Sequence, residues 1–492
     1  MQSSALEKKK ELIQFFLKRN ILVDPQILLN VPPEKIDLLL QKLSNMPASE
    51  IMFYSTNLSK LLENNETVQN IPSSKDKVKV ISSFADVKKK RDIQDFIAHF
   101  NNRYNSLKRI LQSRMELQNA TSISRILAKK DKENISCIGL VLDKQETKNG
   151  NLRFTIEDPT GTIGVIVGKS KADVLTLAKD VQEDEVIGIT GMNGDKIIFA
   201  NNIILPDVPL SKEFKKAPEE EYAIFLGDMH FGSKVFIKDS FEKMIKWLNL
   251  EIGSDEQKEI VKKIKYLFIA GDLVEGVGVY PGHELDLEIQ DIVKQYELFA
   301  EFLKRIPKYI TMIVCPGNHD AMRMAEPQPA LSKEYAAALH SMDNIVFVTN
   351  PAIVNIASTK NFPGMDVLIY HGFSFPYLAD KVESIRVAGG QKRVDLILTY
   401  LLQRRHLAPP HASTLYVPNP NLDPLVIESV PDFLVSGHIH RTSVSKYRNV
   451  TLLNCSCWLE KTDYQEKVGL DPEPARVIIA NLQTRDVRIM KF

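Results

Sequence analysis

From Glu221 onward, short apolar runs alternate with amphipathic stretches, the pattern of strands alternating with helices. Tyr222–Leu226, Tyr266–Ala270, Ile310–Cys315, Val367–Tyr370 and Phe433–Ser436 read as buried strands, and Phe241–Leu250 and Leu287–Lys304 as helices. Residues 135–205 have a different rhythm. Five β-rich runs, Ile135–Leu142, Leu152–Ile156, Thr162–Val167, Val186–Thr190 and Lys196–Ala200, are separated by Gly and Asp/Asn turns. A helical stretch, Lys171–Lys179, follows the third. That order predicts an OB-type barrel. Its strands carry only Phe154 and Phe199 as aromatics, so it reads as a structural barrel rather than a base-stacking platform.

The front of the chain predicts a small helical docking module. Leu12, Phe15, Phe16 and Arg19 suggest one amphipathic helix. Pro32-Pro33 opens a second, whose Ile36, Leu39, Leu40 and Leu43 fall on one face. Residues 64–80 are polar and lysine-rich and read as a linker. Lys88-Lys89-Lys90-Arg91 suits either a phosphate backbone or a solvated helix start. It precedes a helix marked by Ile93, Phe96, Ile97, Phe100, Tyr104, Leu107 and Leu111. The expected organisation is a helical module over 1–63, a linker over 64–90, connecting helices over 91–134, an OB barrel over 135–212 and an α/β domain over 213–492.

Composition is that of a soluble globular protein, with 44% hydrophobic and 25% charged residues among 492. At about 150 residues per domain, roughly three domains are expected. A net charge of +1 excludes a protein that coats nucleic acid by bulk charge. The balance is uneven: residues 1–134 carry 23 Lys+Arg against 15 Asp+Glu, and the rest 40 against 47. Four cysteines, Cys137, Cys315, Cys455 and Cys457, are too few for a disulfide scaffold and read as packed thiols. The start lacks the apolar core of a signal peptide, and no run of about 18 apolar residues occurs. The expected location is cytoplasmic.

The candidate chemistry lies at strand ends. Tyr222–Leu226 runs into Asp228-Met229-His230, and Tyr266–Ala270 into Gly271-Asp272. Ile310–Cys315 runs into Gly317-Asn318-His319-Asp320, Val367–Tyr370 into His371-Gly372, and Phe433–Ser436 into Gly437-His438-Ile439-His440. In α/β sheets, ligands bind beyond the carboxyl ends of strands, so five strands would deliver these groups to one rim. Within Asp228-x-His230 and His438-x-His440, an extended backbone would place both side chains on one side. Carboxylate, imidazole and amide ligands suit Mn²⁺, Fe²⁺, Zn²⁺ or Ni²⁺. Seven ligands are too many for one ion; two ions about 3.5–4 Å apart, sharing a carboxylate, fit better.

The ordered set D-x-H, G-D, G-N-H-D, H-G, G-H-x-H, over residues 223 to 442, resembles the calcineurin-like metallophosphoesterases. A narrower resemblance rests on Gly271–Gly282, on Gly317–Arg323 with Glu326-Pro327-Gln328-Pro329, and on Arg404-Arg405-His406-Leu407-Ala408-Pro409. These look like the small subunits of archaeal family D DNA polymerases, whose order of helical module, OB-like region and phosphoesterase domain also matches. The resemblance implies an α/β fold with a calcineurin-like sandwich behind an OB barrel and a helical module. It implies that Asp228, His230 and His440 hold one metal, that Asn318, His371 and His438 hold a second, and that Asp272 bridges them. His319 would be the general acid, and Asp320 would orient His319 or its loop. Glu275, where the family often has Asp, receives no role.

The implied activity is 3′→5′ exonucleolytic proofreading of single-stranded or mispaired DNA 3′ ends. Its cofactors would be two divalent ions, Mn²⁺ first, with Fe²⁺, Zn²⁺, Ni²⁺ or Mg²⁺ as alternatives. The partners implied are a large polymerising subunit, DNA and a sliding clamp. The rival readings are a non-catalytic polymerase B-subunit scaffold, a phosphomonoesterase or protein phosphatase, and a recombination-type nuclease. The filled ligand set speaks against the first, and the preceding OB region against the others. The Pro-rich segment Leu401–Pro431 could shape a DNA channel or a subunit interface, or be a plain surface loop.

Overall fold

A computed structural model of the chain describes residues 2–18, 31–32, 36–44, 75–84, 90–129, 132–462, 465–466 and 469–492. The chain divides into two compact units, Met1–Pro72 and Ser73–Phe492. In the first, helices Gln2–Leu17 and Ile36–Ser44 contact one another. Leu12, Phe16, Ile36, Leu39 and Leu43 are buried, the face their helical period selects. Arg19, Pro33, most of the expected linker, Lys88 and Lys89 lie outside the described residues.

The second unit contains the barrel and a two-sheet sandwich. The barrel closes in the order β2 (Asn134–Glu146), β3 (Leu152–Asp158), β4 (Gly161–Val167), β6 (Ile197–Ile204) and β5 (Val186–Gly194). Helix Ala172–Asp180 follows β4, as the sequence pattern predicts. Alternation sets what lies inside: Val141, Phe154, Ile156, Val165, Ile189 and Ile198 fill the core. Phe199 faces outward and is 51% exposed, so the barrel presents one aromatic side chain rather than a platform.

One sandwich sheet runs β10 (Ile345–Phe347), β9 (Thr311–Cys315), β8 (Ile264–Ala270), β7 (Tyr222–Leu226), β16 (Arg476–Asn481), β17 (Val487–Lys491). The other runs β1 (Lys79–Ser82), β11 (Ala352–Ile356), β12 (Met365–Ile369), β13 (Phe433–Ser436), β15 (Val450–Asn454), β14 (Ser443–Tyr447). Strands β7, β8 and β9 are parallel, as are β12 and β13, so within each sheet their carboxyl ends share an edge. The inner faces bury Phe225, Phe268, Ile313 and Cys315 against Val367, Ile369, Phe433, Val435 and Leu453. Helices cover the outer faces. Phe375, Leu378, Leu398 and Leu401 pack over Leu368, Leu434 and Leu452. On the other side Phe231, Phe236, Phe241, Phe299 and Phe302 interlock, with ring centroids 4.4–6.3 Å apart. A two-sheet sandwich and a closed five-stranded barrel are thus both present.

One expectation is corrected. Part of the expected linker is a strand: β1 pairs antiparallel with β11, through Lys79 opposite Asn355 and Val80 opposite Val354. A four-residue edge strand with exposed side chains carries no hydrophobic alternation to announce it. The helix Ile93–Gln112 forms with an Asp92–Asp95 capping box, but its first turns do not bury their apolar face. Ile93 and Ile97 are exposed, while Tyr104, Leu107 and Leu111 pack against Leu117, Ile138 and Val186.

The Arg404-Arg405-His406 motif ties this unit together. Arg404 Nε lies 3.3 Å from Glu185 Oε2 of the barrel, and its guanidinium stacks 3.8 Å from the Tyr400 ring centroid. Tyr400 OH also donates to Glu185. Arg405 donates to the carbonyls of Ile427 and Glu428. His406 Nε2 lies 2.9 Å from buried Asp423, which also accepts Arg103 Nε at 2.7 Å from the long helix. The Pro-rich segment is therefore anchored from two sides, with Leu407, Leu425 and Ile427 in the core.

Arg404→Ala would remove the guanidinium paired with the buried Glu185 carboxylate. The expected loss is about 3–5 kcal/mol, read as a lower urea midpoint with the metal-rim residues intact.

Candidate metal centre

The five parallel strand ends bring every sequence-predicted site residue to one rim. β7 carries Asp228 and His230, β8 Asp272, β9 Asn318 to Asp320, β12 His371, and β13 His438 and His440. Four close-set groups form among the described residues: Asp228/His230/His440, Asp272/His371/His438, and two that include His319, His230/Asp272/His319 and Glu275/His283/His319; the first two match the expected pair of sites. In the first, His230 Nε2 lies 3.2 Å from His440 Nε2, which is 3.4 Å from Asp228 Oδ1. In the second, His371 Nε2 lies 3.0 Å from Asn318 Oδ1, 3.2 Å from Asp272 Oδ2 and 3.3 Å from His438 Nδ1. Asp272 Oδ2 is also 3.7 Å from His230 Nε2, so this carboxylate stands between the groups.

The local backbone departs from the extended geometry expected of the D-x-H and H-x-H pairs. Asp228, His230, Asp272, His438 and His440 all have φ between 49° and 70°. Left-handed backbone at non-glycine residues is disfavoured by about 1–3 kcal/mol each and persists only where the surroundings hold it. They do so here. His438 N–H donates to both Asp228 carboxylate oxygens at 2.9 and 3.0 Å, and His319 N–H donates to Asp272 Oδ1 at 2.8 Å. The turns send His438 and His440 to different groups rather than to one side. Gly317 is required by space: a Cβ there would lie 2.2 Å from Asp272 Oδ1.

The protons around the rim are committed outward. His371 Nδ1 is 2.8 Å from the Ala270 carbonyl, to which it donates. When the ring is neutral, its Nε2 presents a lone pair toward Asp272 Oδ2, Asn318 Oδ1 and His438 Nδ1. Burial would lower the His371 pKa, but Asp272 beside it lifts it to about 9. Burial would raise Asp272, yet His371, His319 and His230 hold it well below the ordinary carboxylate range. Burial and neighbouring His371 push His438 down to about 3. Such a cluster of acceptors is satisfied by positive charge, and its nitrogen, carboxylate and amide donors fit divalent cations.

His319 and Asp320 separate in role. His319 Nδ1 lies 2.7 Å from the Glu275 carbonyl, and the side chain keeps 17% of its surface exposed. Burial holds its pKa below the ordinary imidazole value, with Asp272 opposing. Asp320 accepts from Tyr296 OH at 2.8 Å, Gly317 N–H at 2.8 Å and Leu273 N–H at 3.2 Å. It braces the loop; its carboxylate is engaged away from His319. Burial raises its pKa to about 7.

Glu275, given no role from sequence, is central. Its Oε2 lies 2.9 Å from His230 Nδ1, its Oε1 3.1 Å from His283 Nε2, and its carbonyl takes His319. His283 is fully buried and accepts Val279 N–H on Nδ1, so its Nε2–H donates to Glu275. Gln465 supports His440 Nδ1 at 2.9 Å. No spacing rule marks these residues, although His283 directly follows the Gly271–Gly282 motif.

The calcineurin-like phosphoesterase family model matches residues 223–442, the segment that holds Asp228, His230, Asp272, Asn318, His371, His438 and His440. That match defines a metallophosphoesterase domain, and the family implies divalent metals. Among full-length relatives, the DNA polymerase II small subunit of Methanothermobacter thermautotrophicus is 38% identical, over 79% of this chain and 78% of that protein. That of Archaeoglobus fulgidus is 40% identical, over 79% and 75%. That of Halobacterium salinarum is 35% identical, over 82% and 75%. The chain belongs to the archaeal DNA polymerase II small-subunit family.

Gly317→Ala should displace Asp272 and lower divalent-metal affinity by about ten-fold or more, the scale of lost ligand support. Metal content after dialysis, with circular dichroism to confirm folding, checks this.

Proposed function

We propose that this subunit is a two-metal 3′→5′ exodeoxyribonuclease that removes nucleotides from DNA 3′ ends, beside a separate large subunit that polymerises. The observation that carries the reading is the double set of buried acceptor atoms sharing Asp272, opened to solvent at His319. Asp228, His230 and His440 would hold one ion, Asn318, His371 and His438 the other, and Asp272 both. When bound, two divalent cations, Mn²⁺ foremost, supply an activated water nucleophile and neutralise charge developing on the phosphate oxygens.

The chain's own groups do the rest. Glu275 orients His230 through its side chain and His319 through its carbonyl. With Nδ1 committed to that carbonyl, His319 can offer only Nε2 to a substrate. It is the rim group placed to give a proton to the departing 3′ oxygen. Asp320, through Gly317 and Leu273, keeps the β8 and β9 loops in register beneath it. A phosphodiester substrate rather than a phosphoprotein is supported by the polymerase-subunit relatives. The same names support a large subunit and DNA as partners.

His319→Ala should reduce release of 3′-labelled nucleotide from a single strand by about 10²–10⁴-fold while leaving bound metal unchanged. Loss of metal along with activity would assign His319 to ligation instead.

Chelation followed by gel filtration should yield folded, inactive protein, and Mn²⁺ should restore activity. Full activity in the chelated protein would overturn the metal reading. Absence of nuclease activity in the metal-loaded complex with its large subunit would leave a scaffold.

A further inference from the structure

Between the β9 loop and the β12 loop lies a pair of side-chain amides that the mechanism above does not use. Gln328 and Asn350 are 2% and 0% exposed. Their backbones exchange hydrogen bonds, Gln328 N–H to Asn350 O at 2.8 Å and Asn350 N–H to Gln328 O at 3.1 Å. Gln328 Nε2 donates to the Gly317 carbonyl at 2.9 Å and to the Arg323 carbonyl at 3.1 Å. Asn350 Nδ2 donates to Gln328 Oε1 at 2.7 Å. Asn350 Oδ1 in turn accepts the His371 N–H at 2.8 Å. A continuous path of three hydrogen bonds thus joins the carbonyl just before Asn318 to the amide of His371.

We propose that Gln328 and Asn350 are positioning residues that set the separation of Asn318 from His371, and so control the affinity of one metal ion rather than both. The inference rests on the two-ion reading. Asn318 Oδ1 and His371 Nε2 sit 3.0 Å apart at the end of this path. The other group is supported elsewhere, Asp228 by His438 N–H, His230 by Glu275 and His440 by Gln465. The chemistry of the path demands an amide at each place. Gln328 donates twice from Nε2 and accepts on Oε1, a set that among neutral side chains only a carboxamide provides. Leucine at 328 would leave the Gly317 carbonyl and the Asn350 amide unpaired in the interior, and the two loops uncoupled.

The test uses the full chain, stripped by chelator and equilibrated with MnCl₂. Bound manganese is counted by mass spectrometry, and the spectrum of the bound ions is read by electron paramagnetic resonance. Wild type should bind two ions with an exchange-coupled spectrum. Gln328→Leu and Asn350→Leu should keep the first ion at wild-type affinity and weaken the second by about ten- to a hundred-fold. At intermediate manganese they should show the six-line spectrum of an isolated ion. Asn350→Asp, which keeps the acceptor for His371, should recover part of the second affinity. Two ions at wild-type affinity in both leucine variants would overturn the proposal. So would equal loss of both ions with a lowered melting temperature, which would mark the pair as fold support. Fewer than two ions in the wild type would remove the two-ion reading itself, a result separate from either.

Discussion

The rim of the sandwich poses one electrostatic constraint on which the rest depends. Electron-pair donors from five strand ends face one another at 3.0–3.7 Å, with few protons to share. In a buried setting such acceptors repel unless a cation lies among them. The surrounding structure is arranged so that they stay. Main-chain carbonyls take the outward imidazole protons, backbone amides lean on the carboxylates, and Gly317 admits Asp272 where any side chain would exclude it. The two apolar sheets beneath give these loops an unyielding base, because β7 to β9, β12 and β13 are buried along nearly their whole length.

The region outside the rim obeys a related logic at longer range. Three consecutive residues, Arg404, Arg405 and His406, reach the barrel, the Pro-rich segment and the Asp423 cluster that holds the long helix. Buried ion pairs of this kind contribute little net stability over an apolar replacement, but they fix a single arrangement by penalising every other. The barrel is therefore a registered part of the enzyme body and not a loosely tethered appendage.

Much of this was legible in the sequence, and the physical reason is plain. Each candidate site residue lies at or just beyond the end of an apolar run that reads as a buried strand, with Gly close by. That punctuation marked Asp228, Asp272, Asn318, His371 and His438, and the family resemblance supplied their expected roles. The barrel was legible because its turns recur at regular spacing. What escaped were residues whose roles depend on a partner distant in sequence. Glu275 meets His230, Gln328 meets Asn350, and Asn350 meets His371, with nothing local to announce it. The helix over Ile93–Gln112 followed its period, but period alone does not say whether a neighbour covers the face. The left-handed turns were invisible for a further reason: Asp and His carry no intrinsic preference strong enough to signal them.

Those turns carry a consequence for how such a protein changes over generations. Five rim residues, Asp228, His230, Asp272, His438 and His440, hold conformations that glycine or asparagine would adopt with less strain. Exchange of a ligand for one of these would relax the backbone while removing a donor from the rim. The backbone term alone favours such an exchange; the hydrogen bonds from His438 and His319 N–H to the Asp228 and Asp272 carboxylates oppose it at the two aspartates. The strain of the rim is thus written in torsion angles as much as in side chains.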